Sequence, residues 1–103
     1  MYLPEIYQKF SATFPDVFTI YQDLGKHIRD AGPLDAKTQD LIRLGIAIGG
    51  NSKGGVMSHT RKAIESGATK EEVRHAVLLA MPTTGFPNMV AAFGWVESVL
   101  EKN

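Results

Sequence analysis

Apolar residues recur along the chain at spacings of three and four, and strand-like alternation is almost absent. This periodicity predicts an all-α fold of about six helices. Pro15 suits the first position of the second helix, because the N–H that proline lacks has no intrahelical partner there. The apolar positions of the first two helices are Leu3, Ile6, Tyr7, Phe10, Val17, Ile20, Tyr21, Leu24 and Ile28.

Helix start and stop signals divide the middle of the chain. Asp35 is placed to cap a third helix, which runs into the glycine-rich turn "GGNSKGG". A fourth helix is expected from about Val56 to Ser66, ended by Gly67 in the left-handed conformation. Thr69 and Glu72 form the capping-box pattern of a fifth helix. Because the turn between the fourth and fifth helices is so short, they are predicted to form an antiparallel hairpin.

The last predicted helix begins at Pro87, after the break "MPTTGFP", and is apolar on nearly every side. A helix of this kind is normally buried all round. In a small domain we expect another subunit to cover one side, which predicts a homo-oligomer formed through the C-terminal helix. The alternative is that the helix threads the centre of the monomer. Its apolar residues are Met89, Val90, Ala92, Phe93, Trp95, Val96, Val99 and Leu100.

Composition and charge narrow the class of protein. A chain of 103 residues is expected to form one domain, spanning 1–103. Lys+Arg and Asp+Glu both number 11, so no basic excess indicates a nucleic acid or an anionic membrane as partner. The N-terminus lacks a signal-peptide pattern and the run "LIRLGIAIGG" is short and charged, which predicts a cytoplasmic protein. The absence of cysteine excludes disulfides and thiol chemistry.

The glycine-rich turn is a candidate anion site. "GGNSKGGVMSH" contains neither a P-loop nor a dinucleotide-binding fingerprint. Free N–H groups at the start of the fourth helix, with Lys53 nearby, could still bind a carboxylate or phosphate. The alternative is a helix–helix corner in which Gly54 and Gly55 provide positive φ angles.

His59 is the candidate general base, since histidine titrates near neutral pH. It flanks the apolar stripe of the fourth helix, where a half-buried packing role is the alternative. His27 and His75 are expected to be solvated. The three histidines lack zinc-site spacing and no H-E-x-x-H motif occurs, so no metal is predicted. Asp40 could orient a histidine across the corner, or it could belong to a solvated charged face.

Residues Thr38 to Phe93 resemble the carboxymuconolactone decarboxylase-like family, which includes the alkylhydroperoxidase D type proteins. The resemblance rests on "TQDLIRLGIAIGGN", "SHTRKAIESGATKEEVRHAVLLA" and "GFPNMVAAF". It implies an all-α fold built around a helical hairpin and assembled as an obligate oligomer, a trimer or hexamer, often with sites at subunit interfaces.

The redox branch of this family carries a glutamate, a C-x-x-C motif and a histidine four residues after the second cysteine. On this sequence the histidine falls on His59, the cysteines fall on Ser52 and Gly55, and the glutamate falls on Asp40. Peroxidase chemistry of this kind needs one thiolate to attack the peroxide and a second thiol to resolve the product. The resemblance therefore implies no thiol peroxidase activity here.

The decarboxylase branch implies a different use of the same residues. A small, often cyclic, carboxylic acid would lose carbon dioxide without a cofactor, and His59 would move the proton. The start of the fourth helix, including Ser52 and Gly55, and the cations Lys53 or Arg43 would hold the carboxylate. Two alternatives stay open: a structural or ligand-binding protein that has lost the chemistry, and a residual redox partner.

Overall fold

A computed structural model describes residues 4–102 of the chain, and within them every regular element is a helix. The all-α prediction is confirmed. Leu3 lies outside the described residues. The helices are α1 (Glu5–Thr13), α2 (Pro15–Asp30), α3 (Ala36–Gly49), α4 (Lys53–Glu65), α5 (Lys70–Leu79), the single turn α6 (Met81–Thr84) and α7 (Phe86–Leu100). No helix in residues 4–102 has both the length and the hydropathy of a membrane span.

The chain divides into two compact units, and the first ends at Pro33. It contains α1 and α2, with Pro15 at the predicted helix start. Phe10 contacts Phe14 and Phe18, with ring centroids 5.5 and 6.3 Å apart. The predicted apolar faces form, but neither helix has a buried residue. The two helices of this unit therefore form no buried core by themselves.

The second unit begins at Leu34 and contains α3 to α7. The most extensive packing joins α3 with α4, and α7 packs on α4 and α5. The central hairpin is therefore α3–α4, whereas the predicted partners α4 and α5 share a smaller contact. The buried apolar core consists of Leu44, Ile48, Val56, Ala63, Ala68, Val73, Val77, Met89, Ala92, Val96 and Leu100.

Local chemistry sets the helix boundaries as predicted. The Asp35 side chain accepts a hydrogen bond from the Thr38 N–H at 2.8 Å. The Thr69–Glu72 capping box is complete, with bonds of 2.9 and 3.0 Å. The Lys37 ammonium lies 3.0 Å from Glu72, which joins the starts of α3 and α5. These contacts fix the register of the two helices.

Gly67 ends α4 with φ at +97°, as its position after the last helical turn predicted. The Ala68 N–H bonds the Ala63 carbonyl at 2.9 Å and the Gly67 N–H bonds the Ile64 carbonyl at 3.0 Å, which is the Schellman pattern. Ala63 and Ala68 both belong to the core. The turn into α5 is therefore anchored by hydrogen bonds and by packing.

The C-terminal helix α7 has two apolar sides. One side is buried, and it includes Met89, Val96 and Leu100. Phe86 and Phe93 are exposed on another side. The alternative that α7 threads the centre of the monomer is therefore wrong.

A bidentate ion pair joins α5 to α7. The Arg74 Nε and Nη2 atoms each lie 2.9 Å from an oxygen of Glu97. The hydrogen bonds from Arg74 lower the pKa of Glu97 below its ordinary value of 4.5. The hydrogen bonds made by Thr69 and Lys37 lower the pKa of Glu72 in the same way.

Acid is expected to destabilise the fold through these two carboxylates. A lowered folded-state pKa contributes stability that is fully present above the unfolded value and is lost as the pH falls through the folded value. The free energy of unfolding should therefore decline below about pH 4.5, where the unfolded carboxylates begin to bind protons. Urea unfolding between about pH 3 and pH 6 tests this. Glu97→Gln should decline less steeply than the wild type, and equal slopes would contradict the role given to Glu97.

Candidate functional site

The corner between α3 and α4 is built on Asn51. Its φ is +52°, a left-handed value that asparagine tolerates better than most residues. The Asn51 N–H bonds the Ile48 carbonyl at 3.0 Å, and the Ser52 N–H bonds the Ala47 carbonyl at 3.1 Å. This is the same Schellman pattern that ends α4. The corner is therefore fixed by its own backbone.

Gly54 and Gly55 were expected to provide the positive φ angles of this corner, and that prediction is wrong. The fourth helix begins at Lys53, earlier than the predicted Val56, so both glycines lie inside it. Positive φ falls on Asn51 instead. The two glycines need another explanation.

For Gly55 that explanation is close packing. The Ser52 side chain caps α4 by accepting the Gly55 N–H at 3.1 Å. A Cβ on Gly55 would lie 2.9 Å from the Ser52 Oγ and 3.2 Å from the Ala47 Cβ. A Cβ on Gly54 would meet no atom within 4 Å. Gly55 therefore lets the start of α4 approach the end of α3.

Matched alanine substitutions should separate the two glycines. Gly54→Ala should leave stability unchanged or raise it by up to about 1 kcal/mol, because alanine favours the helix. Gly55→Ala should be less stable than Gly54→Ala by roughly 1–3 kcal/mol, because its methyl group overpacks the corner. Urea unfolding of both variants measures the difference. Equal stabilities would show that the corner relaxes at no cost.

Three residues of the predicted site share one face of α4. Ser52, Gly55 and His59 follow each other at spacings of three and four, so they lie one above the other on the same side of the helix. Ser66 continues this face two turns beyond His59. Gly55 adjoins Ala47 of α3, so the face is turned towards α3.

Asp40 contacts the same face from α3. It is only 1% exposed, and its Oδ2 atom accepts a hydrogen bond from the Ser66 Oγ at 2.6 Å. The alternative that Asp40 belongs to a solvated charged face is therefore wrong. Ser66 was not predicted to belong to the site, because nothing in the sequence links two residues 26 positions apart.

These two contacts locate His59. Along the antiparallel pair, Gly55 adjoins Ala47 and Ser66 adjoins Asp40. His59 lies between them on α4, so it is level with the stretch of α3 that contains Arg43. Arg43 follows Asp40 by three positions and precedes Ala47 by four, so it belongs to the same side of α3. His59 and Arg43 are both half-buried.

The imidazole of His59 is held within the protein. Its Nδ1 atom is buried and makes no hydrogen bond within residues 4–102, while the side chain has other interactions with the protein. Lys53 is exposed at the first position of α4. The predicted site therefore has a half-buried base about two turns into α4, with Arg43 level with the base and Lys53 at the helix start.

A groove lies elsewhere, between α3 and α5. Its volume is about 440 Å³, and it is lined by Thr38, Leu41, Ile42, Gly45, Glu72, His75, Ala76, Leu79 and Ala80. We call it the α3–α5 groove. None of the predicted site residues lines it. His75 is exposed, as expected. It also lines this groove, near the end that contains Glu72.

The described part of the chain, residues 4–102, contains no group of three or more His, Cys, Asp or Glu side chains arranged to hold a metal ion. The candidate site consists of ionisable side chains and of the N–H groups at the start of α4. Proton transfer and anion binding are what such groups can do.

Comparison with known proteins identifies the family. The model of the carboxymuconolactone decarboxylase family matches residues 15–98, which include α2 as well as the segment from Thr38 to Phe93. The chain belongs to this family. Membership confirms the resemblance drawn from the motif around His59, and it extends the similarity towards the N-terminus.

Three curated relatives match the chain. Nitrosuccinic acid decarboxylase npaB of Metarhizium robertsii is 41% identical over 59 residues, which is 57% of this chain and 41% of that protein. The chain therefore matches less than half the length of that decarboxylase. Two uncharacterized proteins of Methanocaldococcus jannaschii, MJ0742 and MJ1511, are 31% and 29% identical. These matches cover 86% and 84% of this chain, and 83% and 78% of the relatives.

Proposed function

We propose that this protein decarboxylates a small, often cyclic, carboxylic acid without a cofactor, with His59 as general acid and base. The observation that carries the proposal is the position of His59. It is half-buried on the face of α4 that packs on α3, level with Arg43 and next along that face from Ser52 and Gly55. Similarity to a nitrosuccinic acid decarboxylase supports the reaction class.

The proposed decarboxylation requires only a few groups of the protein. Heterolysis of the bond between the α-carbon and the carboxylate releases carbon dioxide and leaves the electron pair on the α-carbon. A neighbouring electron-withdrawing group, such as the nitro group of nitrosuccinic acid, delocalises that pair. Protonated His59 then donates its proton to the α-carbon and recovers one from water. Charge and atoms balance without an oxidant or a metal.

Cations and helix N–H groups hold the substrate carboxylates in this proposal. Arg43 is level with His59, and Lys53 stands at the positive end of the α4 dipole. Ser52 and Gly55 border the substrate where the cysteines of the redox branch would stand. Asp40 acts as a positioning residue, because its bond to Ser66 ties α3 to α4 beyond His59.

Thiol peroxidase chemistry is not part of this function. The sequence has no cysteine, and the two sulfur positions are Ser52 and Gly55. Neither side chain can form the sulfenic acid and disulfide that the peroxidase cycle requires.

The second candidate is a non-catalytic member of the family that binds a small ligand or serves as a structural subunit. Two observations favour it: Ser52 is engaged as the α4 cap, and the Asp40 carboxylate is buried against Ser66. Both residues thereby have structural tasks that need no substrate.

We also propose that the protein is a cytoplasmic homo-oligomer, a trimer or hexamer, assembled partly through α7. Phe86, Val90 and Phe93 support the α7 contact, because they repeat at spacings of four and three along the exposed side of the helix. Exposed apolar stripes of this kind are typical of subunit interfaces.

Release of carbon dioxide tests the proposed function. Purified protein would be incubated with nitrosuccinic acid and with a set of small cyclic carboxylic acids, without metal or thiol. We expect turnover of at least one of these acids. If none is turned over while one raises the melting temperature, the non-catalytic candidate replaces the decarboxylase.

A further inference from the structure

The first unit carries a large exposed apolar surface. Among the described residues of this unit, nine large apolar side chains, eight on α1 and α2 and Phe14 between them, are between 42% and 69% exposed. At roughly 200 Å² for a fully exposed side chain of this size, they present on the order of 1,000 Å². The largest apolar patch on an ordinary monomer is about 300–600 Å². A stable interface covers about 800 Å² on each partner, so this surface is of interface size.

Five of the nine residues lie on α2 and form a single stripe, which presents roughly 600 Å² of this area. Val17, Ile20, Tyr21, Leu24 and Ile28 recur at helical spacing, and we call them the α2 stripe. From Val17 to Ile28 the stripe is about 16 Å long. A straight apolar stripe on a helix fits a groove between two other helices.

The α3–α5 groove has the matching shape and chemistry. It lies between two helices that run in the same direction, from Thr38 and Glu72 at one end to Gly45 and Ala80 at the other. On α5 this length is about 12 Å, close to that of the stripe. Ile42 and Leu79 line it and are 47% and 64% exposed. The groove therefore has apolar walls that the chain leaves open.

We propose that the α3–α5 groove receives the α2 stripe of a second copy of this chain. Both surfaces are apolar, and their lengths along the helix axes are similar. A contact between them would cover exposed apolar residues of both units. The α2 stripe and the groove are different patches, so in a closed oligomer the contact either repeats around a ring or occurs twice across a twofold axis. It is distinct from the proposed α7 contact, which uses Phe86, Val90 and Phe93.

The helix dipoles favour one direction for the incoming helix. The groove begins at the first turn of α5. An α2 helix that runs antiparallel to α5 brings its last turn to this end of the groove. The same direction places the negative end of the α2 dipole beside the positive end of α5.

Cross-linking between copies tests this contact on a clean background, because the natural chain has no cysteine. Chains carrying Leu24→Cys and Leu79→Cys, with different tags, would be co-expressed and treated with a short bismaleimide. Lys26→Cys replaces Leu24→Cys in the control, because residue 26 faces away from the stripe, about 200° around the helix. Circular dichroism confirms that each variant is folded.

We expect the Leu24→Cys and Leu79→Cys pair to give at least about tenfold more mixed-tag dimer than the control, because side-chain direction decides which cysteines can meet. Equal yields from the two pairs would overturn the proposal. A wild-type chain that sediments as a monomer would overturn it as well. Mixed-tag dimer from Phe93→Cys chains alone reports the α7 contact, so the two interfaces are tested separately.

Discussion

Replacing His59 with alanine is expected to lower the decarboxylation rate by about 10²-fold or more, because the proposed mechanism then lacks its proton donor to the α-carbon. The loss should appear mainly in kcat, since Arg43 and Lys53, the groups proposed to bind the carboxylate, are untouched. Stopped-assay measurement of carbon dioxide at several substrate concentrations separates kcat from KM. An unchanged kcat would remove His59 from the mechanism.

Two further variants show whether the loss is chemical or structural. His59→Gln keeps a polar side chain of similar size but cannot exchange a proton near neutral pH, so it should be as slow as His59→Ala. The exposed His27, on α2, serves as the matched control. His27→Ala should keep the wild-type rate. If His59→Gln were fast, His59 would have a packing role only.

The second large effect is expected at the hydrogen-bonded pair of Asp40 and Ser66. Asp40→Ala should lower the free energy of unfolding by roughly 1–3 kcal/mol, because a hydrogen bond to a buried side chain is lost and the Ser66 hydroxyl loses this acceptor. Ser66→Ala leaves the same carboxylate without this donor and should cost roughly 1–3 kcal/mol. Together the substitutions should cost clearly less than their sum, with a coupling of about 1–2 kcal/mol.

A double-mutant cycle by urea unfolding measures that coupling. Ser98 provides the matched control, because its hydroxyl donates to the Trp95 carbonyl at 2.7 Å within its own helix. Ser98→Ala combined with Asp40→Ala should be additive. Additivity in the Asp40 and Ser66 cycle as well would contradict the contact between α3 and α4 that locates His59.

Helix boundaries could be predicted because their chemistry is local. Asp35, Gly67 and the Thr69–Glu72 box act on backbone groups within a few residues, so spacing alone identifies them. The family could be recognised for a similar reason, since its motif around His59 is contiguous. The start of α4 was placed too late because two adjacent glycines weaken a helical pattern.

The contacts that build the site could not be predicted. Asp40 and Ser66 meet only because α3 and α4 pack side by side, and charge patterning favoured a solvated Asp40. Asn51 took the positive φ that glycine usually takes. The α3–α5 groove combines residues from two helices that are far apart in the sequence, so no single segment indicates it.

The central claim is that His59 delivers a proton to carbon, and decarboxylation in D₂O tests it most directly. With nitrosuccinic acid as test substrate, loss of the carboxyl group from the nitro-bearing carbon leaves a CH₂ group. In D₂O that carbon gains one deuterium when the reaction is started with freshly dissolved substrate, whose acidic C–H has not yet exchanged with the solvent. A proton donor fixed on one side of the substrate should give one enantiomer of the monodeuterated product with the wild type. We predict that outcome at early times, and no stereospecific product with His59→Gln. A racemic product from the wild type, or a stereospecific product from His59→Gln, would contradict the account.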